Sequence, residues 1–269
     1  MIQIEEQWKK VRQVNPLVHH ITNYVTVNDC ANVTLAVGAS PVMADDREEA
    51  ADMTSIASAL VLNIGTLNSR TVESMLISGK TANQKDIPVI FDPVGAGASA
   101  FRSRTAETLL KNIRMTVIRG NISEIRSISG EAGHTRGVDA SSADAESDAR
   151  LLAEKTARQF HCVVSVTGAV DTVSDGERTV SVENGHPAMS GMTGTGCMGT
   201  SLTACFCGAD PAHPLEAAVS ALVCLGEAGE IAWEKAGMLG IGSYHMALLD
   251  AVSRMDGETL RKRARIHED

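Results

Sequence analysis

Four short apolar runs, at residues 59–64, 88–91, 115–118 and 162–166, recur along the chain with longer amphipathic stretches between them. A strand that is apolar at nearly every position is buried on both faces, and such strands separated by helical stretches join as parallel neighbours through crossovers. The pattern predicts an α/β architecture, a central and mostly parallel sheet flanked by helices. Residues 171–174 and 178–182 flank the turn dipeptide Asp175-Gly176, which predicts an antiparallel hairpin added to that sheet. From residue 199 to 265 the chain is rich in Ala, Leu, Met and Glu and reads as an almost wholly helical C-terminal portion. Residues 131–148 are polar and small and read as a surface loop leading into a helix that ends near Phe160. No repeat or linker-like stretch divides the chain, so residues 1–269 are expected to form one domain.

Charge narrows the function classes. A formal net charge of -9 offers no basic stripe for nucleic-acid phosphates, so a nucleic-acid partner is not expected. Residues 1–14 place Ile4, Trp8 and Val11 among charged residues, an amphipathic helix rather than a signal peptide, and no run reaches the roughly 18 apolar residues of a membrane span. The six cysteines lack the paired spacing of a zinc site, and a chain this long needs no disulfide staples, so reduced thiols in a cytoplasmic, membrane-free protein are expected.

Each apolar run ends in a polar or glycine-containing group: Asn63-Ile64-Gly65-Thr66, Asp92-Pro93, Arg119-Gly120-Asn121 and Thr167-Gly168. In an open parallel sheet these ends line one edge, the edge where doubly wound folds bind ligands. One such residue is ordinarily a cap or a turn former. Four together point to a site. Asp92 and Glu124 are candidate Mg²⁺ carboxylates and Arg119 a candidate phosphate ligand, because Mg²⁺ takes few protein carboxylates and completes its shell with water and nucleotide oxygens. Asn121 followed by Glu124 is also a capping box, which accounts for Glu124 on structural grounds alone.

The run Met192-Thr193-Gly194-Thr195-Gly196-Cys197-Met198-Gly199 leads directly into an apolar helical stretch. Glycines and hydroxyls at a helix start expose backbone N–H groups to an anion. Gly194, Gly196 and Gly199 also match a dinucleotide fingerprint, but the motif follows a hairpin and precedes helix after helix, the wrong setting for a βαβ turn. Cys197 falls in the first helical turn, where the helix dipole lowers a thiol pKa; packing of a small buried residue is the plain alternative. A Walker A lysine motif is missing from the sequence, so any phosphoryl transfer needs another phosphate cradle.

The blocks Asn15-Pro16-Leu17-Val18-His19-His20-Ile21-Thr22-Asn23, Pro41-Val42-Met43-Ala44, Asp92-Pro93-Val94-Gly95-Ala96, Arg119-Gly120-Asn121-Ile122-Ser123-Glu124 and Gly194-Thr195-Gly196-Cys197 together resemble, in order, the hydroxyethylthiazole kinase family of thiamine salvage. The resemblance implies a ribokinase-like fold, ATP as co-substrate with Mg²⁺, phosphorylation of the hydroxyethyl group of 4-methyl-5-(2-hydroxyethyl)thiazole, and a homotrimer with interfacial active sites. By the same resemblance Met43, Gly194 and Asn23 contact the thiazole, Arg119 and Thr167 contact ATP, and Asp92 and Glu124 serve the metal and phosphates. Cys197 stands where related sugar kinases carry an aspartate base, with Gly194 and Gly196 supplying N–H groups to the transferred group. Aromatic residues are 3 % of the chain, so Met43 and aliphatics, rather than an aromatic cage, are expected to wall the ring. Another vitamin kinase acting on a hydroxymethylpyrimidine, an NAD-dependent oxidoreductase and a non-catalytic binding protein are the competing readings.

Overall fold

The computed structural model describes residues 2–131 and 142–268. Among these the sheet has nine strands in the order β2-β1-β3-β4-β5-β6-β7-β8-β9. The expected apolar runs form β3 (Ala59–Asn63), β4 (Val89–Asp92), β5 (Val117–Asn121) and β6 (Val163–Thr167), all parallel. Burial on both faces follows from their composition. In β3, Ala59 and Val61 enter one hydrophobic layer while Leu60 and Leu62 enter the other. The expected hairpin is β7 (Asp171–Ser174) and β8 (Thr179–Val182), antiparallel to β6 and to each other.

Two strands at the opposite edge carry no apolar signature. β1 (Leu17–Ile21) runs parallel to both β3 and β2 (Ser40–Met43). His19 and His20 disguise β1, yet both are buried and hydrogen-bonded. His19 Nδ1 lies 2.9 Å from Thr54 Oγ1 and its Nε2 2.8 Å from the Ala44 carbonyl, and His20 Nε2 lies 3.2 Å from Ser201 Oγ. β2 contains Pro41, tolerated because β2 is an edge strand whose outer side needs no ladder partner.

The helices are α1 (Ile4–Val14), α2 (Val27–Val37), α3 (Ala50–Ile56), α4 (Ser69–Gln84), α5 (Ala100–Asn112), α6 (Ile122–Ser129), α7 (Ser142–Phe160), α8 (Thr195–Ala209), α9 (Pro214–Ala236), α10 (Ile241–Arg254) and α11 (Gly257–Arg263). Of the loop expected over 131–148, residues 132–141 lie outside the described residues, and from Ser142 the chain is already helical. The C-terminal region departs from the all-helical expectation at its end, where β9 (Ile266–Glu268) pairs antiparallel with β8. Its helices are a layer of the core, not an appendage. Residues 198–207 of α8 are all buried, as an all-round apolar helix must be, and α8 contacts β1, β3 and β4. No helix among the described residues is long and apolar enough to cross a membrane.

Candidate active site

The sheet register brings the polar strand ends together. Asn63 pairs with Asp92 across β3 and β4, and Asn121 with Thr167 across β5 and β6. The first turn of α8 faces this edge, and around Cys197 a buried polar cluster forms. Asn23 Nδ2 donates to Asn63 Oδ1 at 3.0 Å, and the Asn23 and Asn63 amides each lie 3.3 Å from Cys197 Sγ. Asn63 Nδ2 and Thr200 Oγ1 both donate to Asp92 Oδ2, each at 2.8 Å. Asp92 is 4 % exposed, and burial raises its pKa to about 6 against the opposing pull of the Arg119 guanidinium.

Cys197 departs from expectation. The helix start was expected to favour thiolate, but burial, reinforced by the negative charge of Asp92, raises the thiol pKa, so the neutral S–H is the form this site holds. Its hydrogen-bond neighbours are the Thr26 hydroxyl and the Asn23 and Asn63 amides, with no histidine among them, which is not the arrangement of a cysteine nucleophile with a histidine base.

Arg119 is 6 % exposed and lies flat against α8. Its Nη1 donates to the Gly196 carbonyl at 2.8 Å, while its Nε is buried without a partner. A Cβ on Gly199 would come within 2.6 Å of Nη2, so glycine there is the condition for the guanidinium's seat. Gly194, the N-cap of α8, has φ 94°, in the left-handed region, and a Cβ would meet Asp29 Oδ2 at 3.1 Å. Beyond Arg119 opens a cavity of about 580 Å³. Thr167, Thr195 and Gly196 line its near side, and the segment around His186 with Leu222 and Leu225 of α9 lines its far side.

Glu124 completes the capping box. Its Oε2 accepts from the Asn121 N–H and its Oε1 from the Gly95 N–H, both at 2.9 Å, tying the turn after β4 to α6. No cluster of three or more His, Cys, Asp or Glu side chains suited to a metal ion occurs among the described residues; Asp92 and Glu124 are near enough for the Glu124 charge to add to the rise in the Asp92 pKa. Met43 ends β2 at the sheet edge, half-buried and opposite His20, away from the cavity lining.

Sequence reasoning left out Asn63, Thr200 and Asp171 as site residues. Asn63 was visible as a strand end. Thr200 lies one residue beyond the Gly-rich run, and only the tertiary packing turns it onto Asp92. Asp171 opens β7, accepts from the Gly168 N–H at 2.9 Å and faces the cavity beside Arg119; burial raises its pKa to about 6.

The Gly194-Gly196-Gly199 motif follows a 3₁₀ turn (Pro187–Gly191) and forms the start of α8, with α9 next, so it is not the turn of a βαβ unit and the dinucleotide-fold reading falls. A strand-end site under a glycine-started helix, on a mostly parallel sheet with helices on both faces, defines a ribokinase-like fold. Solved structures share it: a ribokinase-like superfamily protein from Enterococcus faecalis (TM-score 0.62, 13 % identity, 93 % of this chain and 89 % of that one) and the Bacillus subtilis pyridoxal kinase in an ADP complex (TM-score 0.57, 18 % identity, 81 % and 91 %). At these identities the likeness shows the fold alone. The family model for the hydroxyethylthiazole kinase family matches residues 8–258, and the chain belongs to that family of phosphotransferases. It is 58 % identical over 267 residues to the hydroxyethylthiazole kinase of Ruminiclostridium cellulolyticum (99 % of this chain, 97 % of the relative) and 53 % over 274 residues to that of Clostridium beijerinckii (99 % and 98 %). The structure of the hydroxyethylthiazole kinase protein from Pyrococcus horikoshii covers the whole of both chains at 43 % identity and TM-score 0.91.

Proposed function

We propose that this chain transfers the terminal phosphoryl group of ATP, with Mg²⁺, to the hydroxyethyl group of 4-methyl-5-(2-hydroxyethyl)thiazole, as a cytoplasmic homotrimer in thiamine salvage. The observation that carries the reading is the convergence of Cys197, Asp92 and Arg119 at the start of α8, where backbone N–H groups and a cation face a cavity large enough for a nucleotide. Arg119 and Thr167 bind the ATP phosphates. The Arg119 guanidinium plane, fixed by the Gly196 carbonyl at one terminal nitrogen, suits phosphate oxygens through its remaining terminal N–H groups.

Asp92 and Glu124 suit a Mg²⁺ ion held largely through water. Asp92 is buried with Oδ1 unengaged, and Glu124 keeps lone pairs beyond its two backbone bonds. When bound, the ion neutralises charge on the phosphates. Asn23, Met43 and Gly194 hold the thiazole alcohol. Cys197, steered by the Asn23 and Asn63 amides and held as the neutral S–H, orients the hydroxyl rather than taking its proton. The N–H groups at Gly194 and Gly196 steady the charge on the moving phosphoryl group.

Tyr24 and Val25, exposed immediately after Asn23, support assembly around the site, since a subunit seated there would bury them beside the alcohol. Initial rates of ADP release, measured with the thiazole alcohol and with its deoxy analogue, test the assignment. ADP release should require the hydroxyl, and equal rates with both compounds would refute it.

A further inference from the structure

The far wall of the cavity keeps its hydrogen bonds to itself. Asn184 Nδ2 donates to the Arg263 carbonyl at 3.0 Å, and Asn184 Oδ1 accepts from the Arg265 N–H at 2.8 Å. The Gly185 N–H donates to Glu230 Oε1 at 2.8 Å, the Ala188 N–H to His186 Nδ1 at 3.1 Å, and the Met189 N–H to the His186 carbonyl at 2.9 Å. Ser190 Oγ donates to the Pro187 carbonyl at 2.7 Å. What remains toward the cavity from side chains is chiefly apolar, Leu222 and Leu225 of α9 and the Pro187 ring, with the His186 imidazole beside them. His186 stacks on Trp233 with ring centroids 4.3 Å apart, and since its Nδ1 accepts from Ala188 its proton sits on Nε2, a single donor.

If phosphates lie against Arg119 and the start of α8, the base of the nucleotide reaches this far wall. The near end is charged and polar, through Arg119, Asp171 and Thr167, and meets only groups that every nucleoside triphosphate carries, its phosphates and ribose hydroxyls. A base is told apart from its rivals when buried donors and acceptors must pair with its edge and would be left unpaired by the wrong one. An apolar wall discriminates by shape alone.

We propose that this enzyme accepts its phosphoryl group from purine and pyrimidine nucleoside triphosphates alike, because the side chains on the cavity wall that faces the base have given their hydrogen-bonding groups to partners within the protein, the single His186 Nε2 donor excepted. The inference rests on the ATP site assigned above and specifies its substrate class. The chemistry balances identically for each donor. The bond from the terminal phosphorus to its bridging oxygen breaks, a bond to the alcohol oxygen forms, the alcohol proton is released to solvent, and the nucleoside diphosphate departs with the bridging oxygen.

Values of kcat/KM for ATP, GTP, CTP and UTP, each with the thiazole alcohol and Mg²⁺ and with the phosphorylated thiazole as readout, decide the matter. The four should fall within roughly 200-fold of one another, the range of shape discrimination. A wider preference for ATP, toward the roughly 10⁴-fold of sites that read hydrogen-bonding edges, overturns the inference and leaves the proposed function standing. Turnover with none of the four overturns both. Asn184→Asp, which removes the amide donor and keeps the acceptor for Arg265, supplies a second measurement. The ATP-to-GTP ratio should stay within about twofold of wild type, whereas a large change in that ratio would assign base reading to Asn184 and overturn the inference.

Discussion

Replacing Gly199 by alanine should disable the phosphate cation while leaving the fold intact. The added methyl would stand 2.6 Å from Arg119 Nη2, 2.8 Å from Cζ and 3.1 Å from Nε, so the two groups cannot keep their places. Gly199 sits inside α8 without a positive φ, and alanine there is favoured by about 1 kcal/mol over glycine. The guanidinium is therefore what moves, and it moves off the Gly196 carbonyl, breaking a 2.8 Å bond. Loss of that buried bond costs about 1–3 kcal/mol, partly offset by the helix gain, so the net effect on Tm is a few degrees. A misplaced Arg119 forfeits charge-assisted bonds to phosphate of about 1.5–3 kcal/mol, a fall of roughly 10- to 150-fold in kcat/KM for the nucleotide. Thermal melts followed by circular dichroism, with initial rates at varied ATP, separate the two effects. A variant that folds normally and keeps kcat/KM for ATP within about twofold of wild type would refute the reasoning.

Three other perturbations address separate groups. Asp92, with a folded pKa of about 6, is protonated on the acid side of neutrality, so kcat/KM should fall as pH drops through about 6, and Asp92→Asn should abolish both that dependence and most of the activity; an Asp92→Asn enzyme that retains the acid limb would contradict this. Cys197→Ala should lower kcat by roughly 10- to 100-fold, the cost of a lost orienting group, and a loss beyond about 10⁴-fold would make the thiol an obligatory base instead. Glu227 in α9 is fully buried with neither carboxylate oxygen partnered, and burial raises its pKa to about 8. The native state therefore keeps a proton that the unfolded chain has released from about pH 4.5 upward, so stability declines as pH rises through that window and levels off above about 8. Glu227→Gln should remove most of that decline in Tm, and parallel Tm–pH curves for the two proteins would be inconsistent with a buried neutral acid.

The interior of the sheet was readable because β3 to β6 must be apolar on both faces, a pattern that needs no partner to be recognised. β1 escaped it because His19 and His20 are polar by type and, apart from the nearby Val18 carbonyl on His20, are satisfied by Thr54, Ala44 and Ser201, contacts that exist in three dimensions alone. β2 escaped because a proline reads as a break unless the strand is known to be an edge. Within the site, Asp92, Arg119 and Cys197 stood out by position at strand ends and at a glycine-rich helix start. The charge state of Cys197 did not follow from that position. A helix dipole favours the thiolate, but a buried thiol beside the carboxylate of Asp92 pays more in desolvation and repulsion than the dipole returns. Thr200 was silent for the same reason as the histidines, since its partner Asp92 lies far away along the chain, and for Asn63 the strand-end position was legible but its bond to Asp92 was not. The hydrogen bonds made by Asn184 and Gly185 are likewise a property of how the end of α11, the residues leading into β9, and α9 close over that segment.

Incubation of the purified protein with ATP, Mg²⁺ and 4-methyl-5-(2-hydroxyethyl)thiazole, with mass detection of the thiazole product, bears most directly on the assigned activity. The phosphate ester of the hydroxyethyl group should accumulate in step with ADP. ADP formed without that ester, or no ADP at all from a folded protein, would contradict the assignment.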